Sequence, residues 1–416
     1  MTETAAFRRL HAEVRAIVDR TPVYDIHTHL YDPAFGDLLL WGIDDLLVYH
    51  YLVAEGFRYW DMPVGKFWAM PRTRQADLVW ETLFLEHSPV SESCRGVLTT
   101  LHRLGFDVKK RDLAALRKKF ARWTPADYTD KVFEASNVRA FVMTNNPFDD
   151  AERPVWEKGF RGDSRIGAAL RIDMILMDFP KAAAAMSRRG YRVAAEPTDA
   201  VCGEVRRFLA DWAERMKALY VMVSLPPDFA FPDSGVRGRL IGKAVLPFCR
   251  DQGLPLALMI GVRKLVNPGL RLAGDGVGKG DIRAVENLCA GYPENRFLVT
   301  MLARENQHEL AVTARKFRNL HVFGCWWFTN IPVLIDEITR MRLELLGLSM
   351  TPQHSDSRVL DQLIYKWDHF RSIIARVLAE KYADIAAAGW TLRKGEIERD
   401  VKQIFGGAFE RFIQKT

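Results

Sequence analysis

The sequence predicts an α/β protein folded as a (β/α)₈ TIM barrel with a large helical insertion after the first strand. Eight short apolar runs recur along the 416 residues. They are nearly continuous in apolar residues rather than alternating, as in strands covered on both faces of a parallel sheet. Amphipathic helical stretches separate most of them, and eight β-then-α units specify a closed barrel.

Taken in order, the chain opens on MTETAAFRRLHAEVRAIVDR. Phe7, Leu10, Val14, Ile17 and Val18 stand at helical spacing there, so an amphipathic helix is expected rather than a signal peptide. VYDIHTHL (23–30) is the first strand. More than 100 residues then intervene, far beyond an ordinary βα connection. Their content, DLLVYHYLVAEGFRYW, QADLVWETLFLEH and VLTTLHRLG, is helical and aromatic, which predicts an insertion over the C-terminal mouth of the barrel. VKKRDLAALRKKFARW (108–123) places Leu113, Leu116 and Phe120 on one helix face and its basic residues on a solvated one. The remaining strands are VRAFVMTN (138–145), IGAALRID (166–173), LYVMVSLP (219–226), LPLALMIG (254–261), RFLVTML (296–302), LHVFGCWWF (320–328) and LGLSMTPQHSD (346–356). No low-complexity linker divides the chain. It reads as one unit: 1–30 as helix and first strand, 31–137 as insertion, 138–416 as the rest of the barrel and its C-terminal helices.

Composition limits the function classes. Hydrophobic residues at 48% and charged residues at 27% are those of a soluble globular protein, and no apolar stretch reaches membrane-spanning length. The five cysteines are scattered and lack C-x-x-C pairs, which predicts reduced thiols, a cytoplasmic setting and no zinc finger. The net charge of +7 comes without a nucleic-acid-binding motif and suits a small anionic ligand. The expected partners are a small anionic substrate and further copies of the chain, with no nucleic acid and no membrane.

The chemistry collects at the strand ends. His27 and His29 are two apart on a strand and so share a face. Asp356 closes the eighth strand, which adjoins the first in a closed barrel. Two imidazoles and a carboxylate suit one divalent ion, Zn²⁺ or Mn²⁺, with open positions. Arg171 ends the third strand, where its fork fits a planar carboxylate or pairs with Asp173. Arg358, two after Asp356, faces the same way, toward substrate or as a support for Asp356. Trp326 and Trp327 end the seventh strand, where one can wall a sugar site while the other packs. AGDGVGKG (273–280) lacks phosphate-loop spacing and reads as a flexible lid.

YDIHTHL, YHYLVAEG, LRID, MIGVRKLVNPGLRLAGDGVGKGD, FGCWWFTN and SDSRVLDQLIYKWDHFRSII, in that order, resemble segments of the uronate (glucuronate) isomerases of the amidohydrolase superfamily. The resemblance implies a metal motif at His27 and His29, an active-site histidine and tyrosine at His50 and Tyr51, and a carboxylate-binding arginine at Arg171. The expected reaction is aldose–ketose isomerisation of a hexuronate, by proton transfer between C2 and C1. In it Asp356, His50 and Tyr51 are catalytic, Arg171, Arg358 and Trp327 contact substrate, and His27, His29 and Asp356 hold the ion. Three positions depart from the pattern. Asn145 and Asn146 replace an acidic pair after the second strand, Met259 replaces a histidine in the fifth, and RKLVNPG replaces an asparagine-rich run. Methionine is a poor ligand for such ions, so Met259 is expected to pack near the pocket outside bonding distance, leaving a single three-ligand site. The alternatives are a metal-dependent hydrolase of a small carboxylate-bearing ester, lactone or amide, and a sugar-acid-binding protein without turnover.

Overall fold

The computed structural model describes residues 5–414, so the first four residues of the expected N-terminal helical stretch lie outside it. Helix α1 (Ala5–Arg20) leads into β1 (Val23–Thr28). The strands β2 (Val138–Asn145), β3 (Ile166–Arg171), β4 (Val221–Leu225), β5 (Leu256–Ile260), β6 (Phe297–Met301) and β7 (Leu320–Val322) follow, each parallel to its sequence neighbour.

The eighth strand is the point of difference. Residues 346–350 do not extend. The helix Pro332–Leu346 runs to the start of that segment, and Gly347 ends it with φ of 56°, a conformation glycine adopts without steric cost. Extended chain begins only at Thr351. There Thr351 N–H donates to Val322 O (3.1 Å) and Gly324 N–H to Thr351 O (2.7 Å). On the other side Asp356 N–H donates to His27 O (3.2 Å) and His29 N–H to Ser357 O (2.7 Å). Residues 351–357 thus close the barrel between β7 and β1 without a regular ladder.

Ile26, Val142, Ala169, Met222, Ala257, Met259, Leu298 and Phe323 fill the barrel interior as one apolar cluster. Phe409, from the C-terminal segment, plugs the lower end edge-on to Tyr24 and Tyr220. Between β1 and β2 lies a series of helices, including α2 (His50–Gly56) and α3 (Glu92–Arg103). The last of the series, α4 (Pro125–Ser136), is capped by the Thr124 side chain, has proline in its first turn, and ends at Asn137 with φ of 51°. Its Phe133 stacks on Phe141 of β2, so α4 is the crossover helix. The helix Pro332–Leu346 is α5, and the 26-residue α6 (Gln362–Ala387) packs against α1, α3, α4 and α5.

The stretch 273–280 is pinned rather than lid-like. Val262–Arg263 and Gly276–Val277 form a short antiparallel ribbon, and Gly280 N–H donates to Asn306 Oδ1 (2.9 Å). Among the described residues no helix is long and apolar enough to cross a membrane, and all five cysteines are free and buried.

Candidate active site

β1 delivers its two histidines by a device that simple alternation does not foresee. Asp25 and Thr28 pair with Phe141 and Met143, so β1 takes three steps where β2 takes two. This extra residue is a bulge, which re-aims the side chains beyond it. Asp25 faces outward, accepting from Trp367 Nε1 of α6 (2.8 Å). Ile26 belongs to the interior cluster, yet His27 turns inward as well, against Phe323 and His354. His29 follows on the same side, its ring 5.3 Å from that of His27.

Opposite them Asp356 holds a left-handed backbone, φ 53°, which costs a non-glycine residue energy and recurs where a side chain must be aimed. Its Oδ1 lies 3.5 Å from His27 Nε2 and 3.4 Å from His29 Nε2. One ligand atom from each of the three residues lies within 4.8 Å of the others.

Neighbouring hydroxyls fix the histidine tautomers. Thr144 Oγ1 donates to Thr28 O (3.0 Å), so toward His29 Nδ1 (2.9 Å) it accepts. Tyr220 donates to Ile26 O (2.7 Å) and so accepts, over a longer 3.4 Å, from His27 Nδ1. The protons therefore sit on Nδ1 and both Nε2 lone pairs face Asp356. Burial, with the positive charge of Arg358, holds His29 well below the usual histidine range. Lone pairs converging on one point, with His27 Nε2 and Asp356 Oδ1 buried and unpartnered, call for a cation. The separations of 3.4 and 3.5 Å match the edge of a tetrahedron about Zn²⁺, ~3.4 Å for bonds of about 2.0–2.1 Å. The residues fit such an ion.

Of the other anticipated residues, His50, Tyr51, Arg358 and Trp327 lie beside this point. His50, on α2, lies against Tyr49, Tyr51 and Trp327. Its Nε2 is buried without a partner, and burial with Arg358 keeps it well below the usual histidine range. Burial pushes the Tyr51 phenol well above its ordinary value, so Tyr51 keeps its proton. Arg358 shares a cavity of about 200 Å³ with His50 and Tyr49. Trp327 sits on a 3₁₀ turn (Trp327–Thr329), not on a strand, with φ of 45° and a buried, unpartnered Nε1. Trp326 is buried in the interior cluster. Arg171 is bound by Asp173 through Nε (2.7 Å) and Nη2 (3.1 Å), so the ion pair is formed. Two of its five N–H groups point at Asp173. Met259 is 1% exposed within the interior cluster. Asn145 is fully buried beside the Glu152 carboxyl. Asn146 N–H donates to Glu152 (2.9 Å), a fully buried carboxyl that also accepts from Tyr31 (3.0 Å).

Sequence reasoning missed His354, Thr144, Glu152 and Lys366. His354 was within reach: it precedes Asp356 by two, and its buried ring lies 5.0 Å from that of His27. Lys366 carried a fainter signal, a lone lysine in the apolar run LIYKW. Thr144 and Glu152 carried none.

A parallel barrel that brings two imidazoles from the end of its first strand and a carboxylate from the segment that closes it to one point defines the class: a TIM-barrel protein with a candidate metal site at its strand ends. No protein-family model and no curated protein sequence matches the chain. Among solved structures it is 52% identical to a uronate isomerase from Bacillus halodurans C-125, with a TM-score of 0.97 over 100% of this chain and 98% of that one. A glucuronate isomerase from Caulobacter crescentus (16% identity, TM-score 0.78, 99% and 95% covered) and a uronate isomerase from Thermotoga maritima (15%, 0.79, 97% and 97%) share the fold. The chain belongs to the uronate isomerase family.

Proposed function

We propose that the chain isomerises a hexuronate of the glucuronate or galacturonate type between aldose and ketose. The observation that carries this is the convergence of His27, His29 and Asp356 in a chain 52% identical, end to end, to a uronate isomerase. A divalent ion, Zn²⁺ or Mn²⁺, held by these three residues would polarise the C1 and C2 oxygens of the open-chain sugar. Asp356, acceptor-only in its ionised form, takes the C2 proton. Tyr51, which retains its own proton, donates to the C1 oxygen, giving an enediol. Asp356 then returns its proton to C1 while neutral His50 accepts the proton of the C2 hydroxyl and passes it to the adjacent Tyr51 phenolate, leaving the ketose and every side chain as it began. Arg171 keeps N–H groups beyond the two that face Asp173 and binds the remote carboxylate, so that distant binding energy orients the reacting carbons. Arg358 adds positive charge beside His50, and Trp327 walls the sugar.

The test is incubation of zinc- or manganese-loaded protein with a panel of hexuronates, followed by NMR and mass analysis of the products. The reading requires a ketose of unchanged mass. A product heavier by one water would make the chain a hydrolase instead.

A further inference from the structure

Outside the groups that touch substrate or ion, one buried charged pair reaches the site. Lys366 Nζ on α6 bonds Glu92 Oε1 on α3 at 2.8 Å, and their side chains are only 5% and 10% exposed. A buried pair of this kind needs its remaining hydrogen-bonding capacity filled. Lys366 fills part of its own by donating to Asn330 O (3.1 Å). Asn330 in turn spends its whole side chain on the segment leading to Asp356. Its Nδ2 donates to His354 O (3.1 Å) and Ser355 O (3.2 Å), and its Oδ1 accepts from Gln353 Nε2 (2.9 Å). The clamp closes immediately before Asp356, whose left-handed backbone persists only where its surroundings over-determine it.

We propose that Asn330, held by the Lys366–Glu92 pair, is a positioning residue for Asp356, and that α3 of the inserted region thereby bears on the geometry of the site. The inference rests on the isomerase reading for its kinetic readout and on ion binding for an independent one. Exchanging the pair for neutral groups, Glu92→Gln with Lys366→Met, removes both charges together and leaves no lone buried ion. The expected result is a kcat lower by about 10–100-fold, the range for residues that orient a ligand from behind. The uronate KM should stay within about twofold, since binding energy from Arg171 is untouched. Zinc affinity, read by competition with a chromogenic chelator, should fall by about tenfold or more. Lys366→Arg, which keeps a charged donor, should recover most of kcat. Asn330→Ser cuts the clamp without touching the pair and carries the same expectation should the double variant not fold. A folded double or Asn330→Ser variant with unchanged kcat and unchanged zinc affinity would overturn the proposal and leave the pair as scaffold only. A wild-type chain that converts no hexuronate would remove the isomerase reading, and the zinc titration alone would then decide the positioning role.

Discussion

Thr144→Val isolates the part of the site that sets the histidine tautomers. Valine keeps the shape and the β-branched stem that suit the end of β2, so the change is confined to one hydroxyl. That hydroxyl accepts from His29 Nδ1 at 2.9 Å and donates to Thr28 O at 3.0 Å, in a side chain 3% exposed. Its loss leaves a buried Nδ1–H without a partner, a penalty of about 1–3 kcal/mol. The penalty is avoided if the proton moves to Nε2, but Nε2 is then no longer a ligand. Either way zinc binding weakens by about 1.4–2.7 kcal/mol, or 10–100-fold. Competition against a chromogenic chelator measures this directly, with thermal melting of the zinc-free protein as the control for fold. Tyr220→Phe, acting on His27 across the longer 3.4 Å contact, should weaken zinc less. Affinity within about twofold of wild type for Thr144→Val would refute the tautomer assignment and, with it, the view that Nε2 faces the ion.

Four further outcomes follow from the geometry. Asp356→Asn should reduce isomerase turnover to a few per cent or less with little change in the melting temperature of the ion-free protein; substantial residual turnover would mean another group is the base. Arg171→Met should raise KM for uronates by an amount equivalent to about 1.5–3 kcal/mol, and equal losses with neutral aldoses would make Arg171 purely structural. Gly324→Ala should destabilise the fold by about 2–5 kcal/mol in urea denaturation, since its φ is +66° and a Cβ there would stand 1.8 Å from His354 Cδ2; a near-neutral result would contradict that packing. Glu152 provides a pH test. Burial, only partly offset by the Asn146 N–H, raises its carboxyl from 4.5 to about 7. Such a group favours the folded state fully below its unfolded value and loses that contribution as pH rises through 7. Glu152→Gln should therefore gain stability relative to wild type between about pH 5 and about pH 8, by at most about 3 kcal/mol, and a pH-independent difference would show that Glu152 is not so perturbed.

The barrel and the convergence of its candidate metal-holding residues were legible because apolar strands covered on both faces leave continuous runs, and because polar residues gather at strand ends. His27, His29 and Asp356 were brought together by closure alone. The reason they meet was not legible. Alternation along an unbroken strand would set His27 opposite to Ile26, whereas a bulge, invisible in the residue pattern, lets both face inward. The extent of the eighth strand was overread since residues 346–350 are as apolar as a strand, yet Gly347 ends a helix there. Trp327 was placed on a strand for the same reason. Lys366, Asn330 and Glu152 work through contacts between segments far apart in sequence, and no local spacing announces such contacts.

The junction of β1 with residues 351–357 is the seam of the barrel, joined by isolated backbone bonds rather than a full ladder. His27 and His29 stand on one side of it and Asp356 on the other, close to opposite ends of the chain. An ion gripped by all three would act as a clasp across that joint. Since it binds the closed form alone, it shifts local opening toward closure by mass action. Slowed hydrogen exchange at the His29 and Asp356 amides would register it, as would delayed proteolytic nicking near residue 350. Loss of the ion would then ease opening of the barrel at this seam.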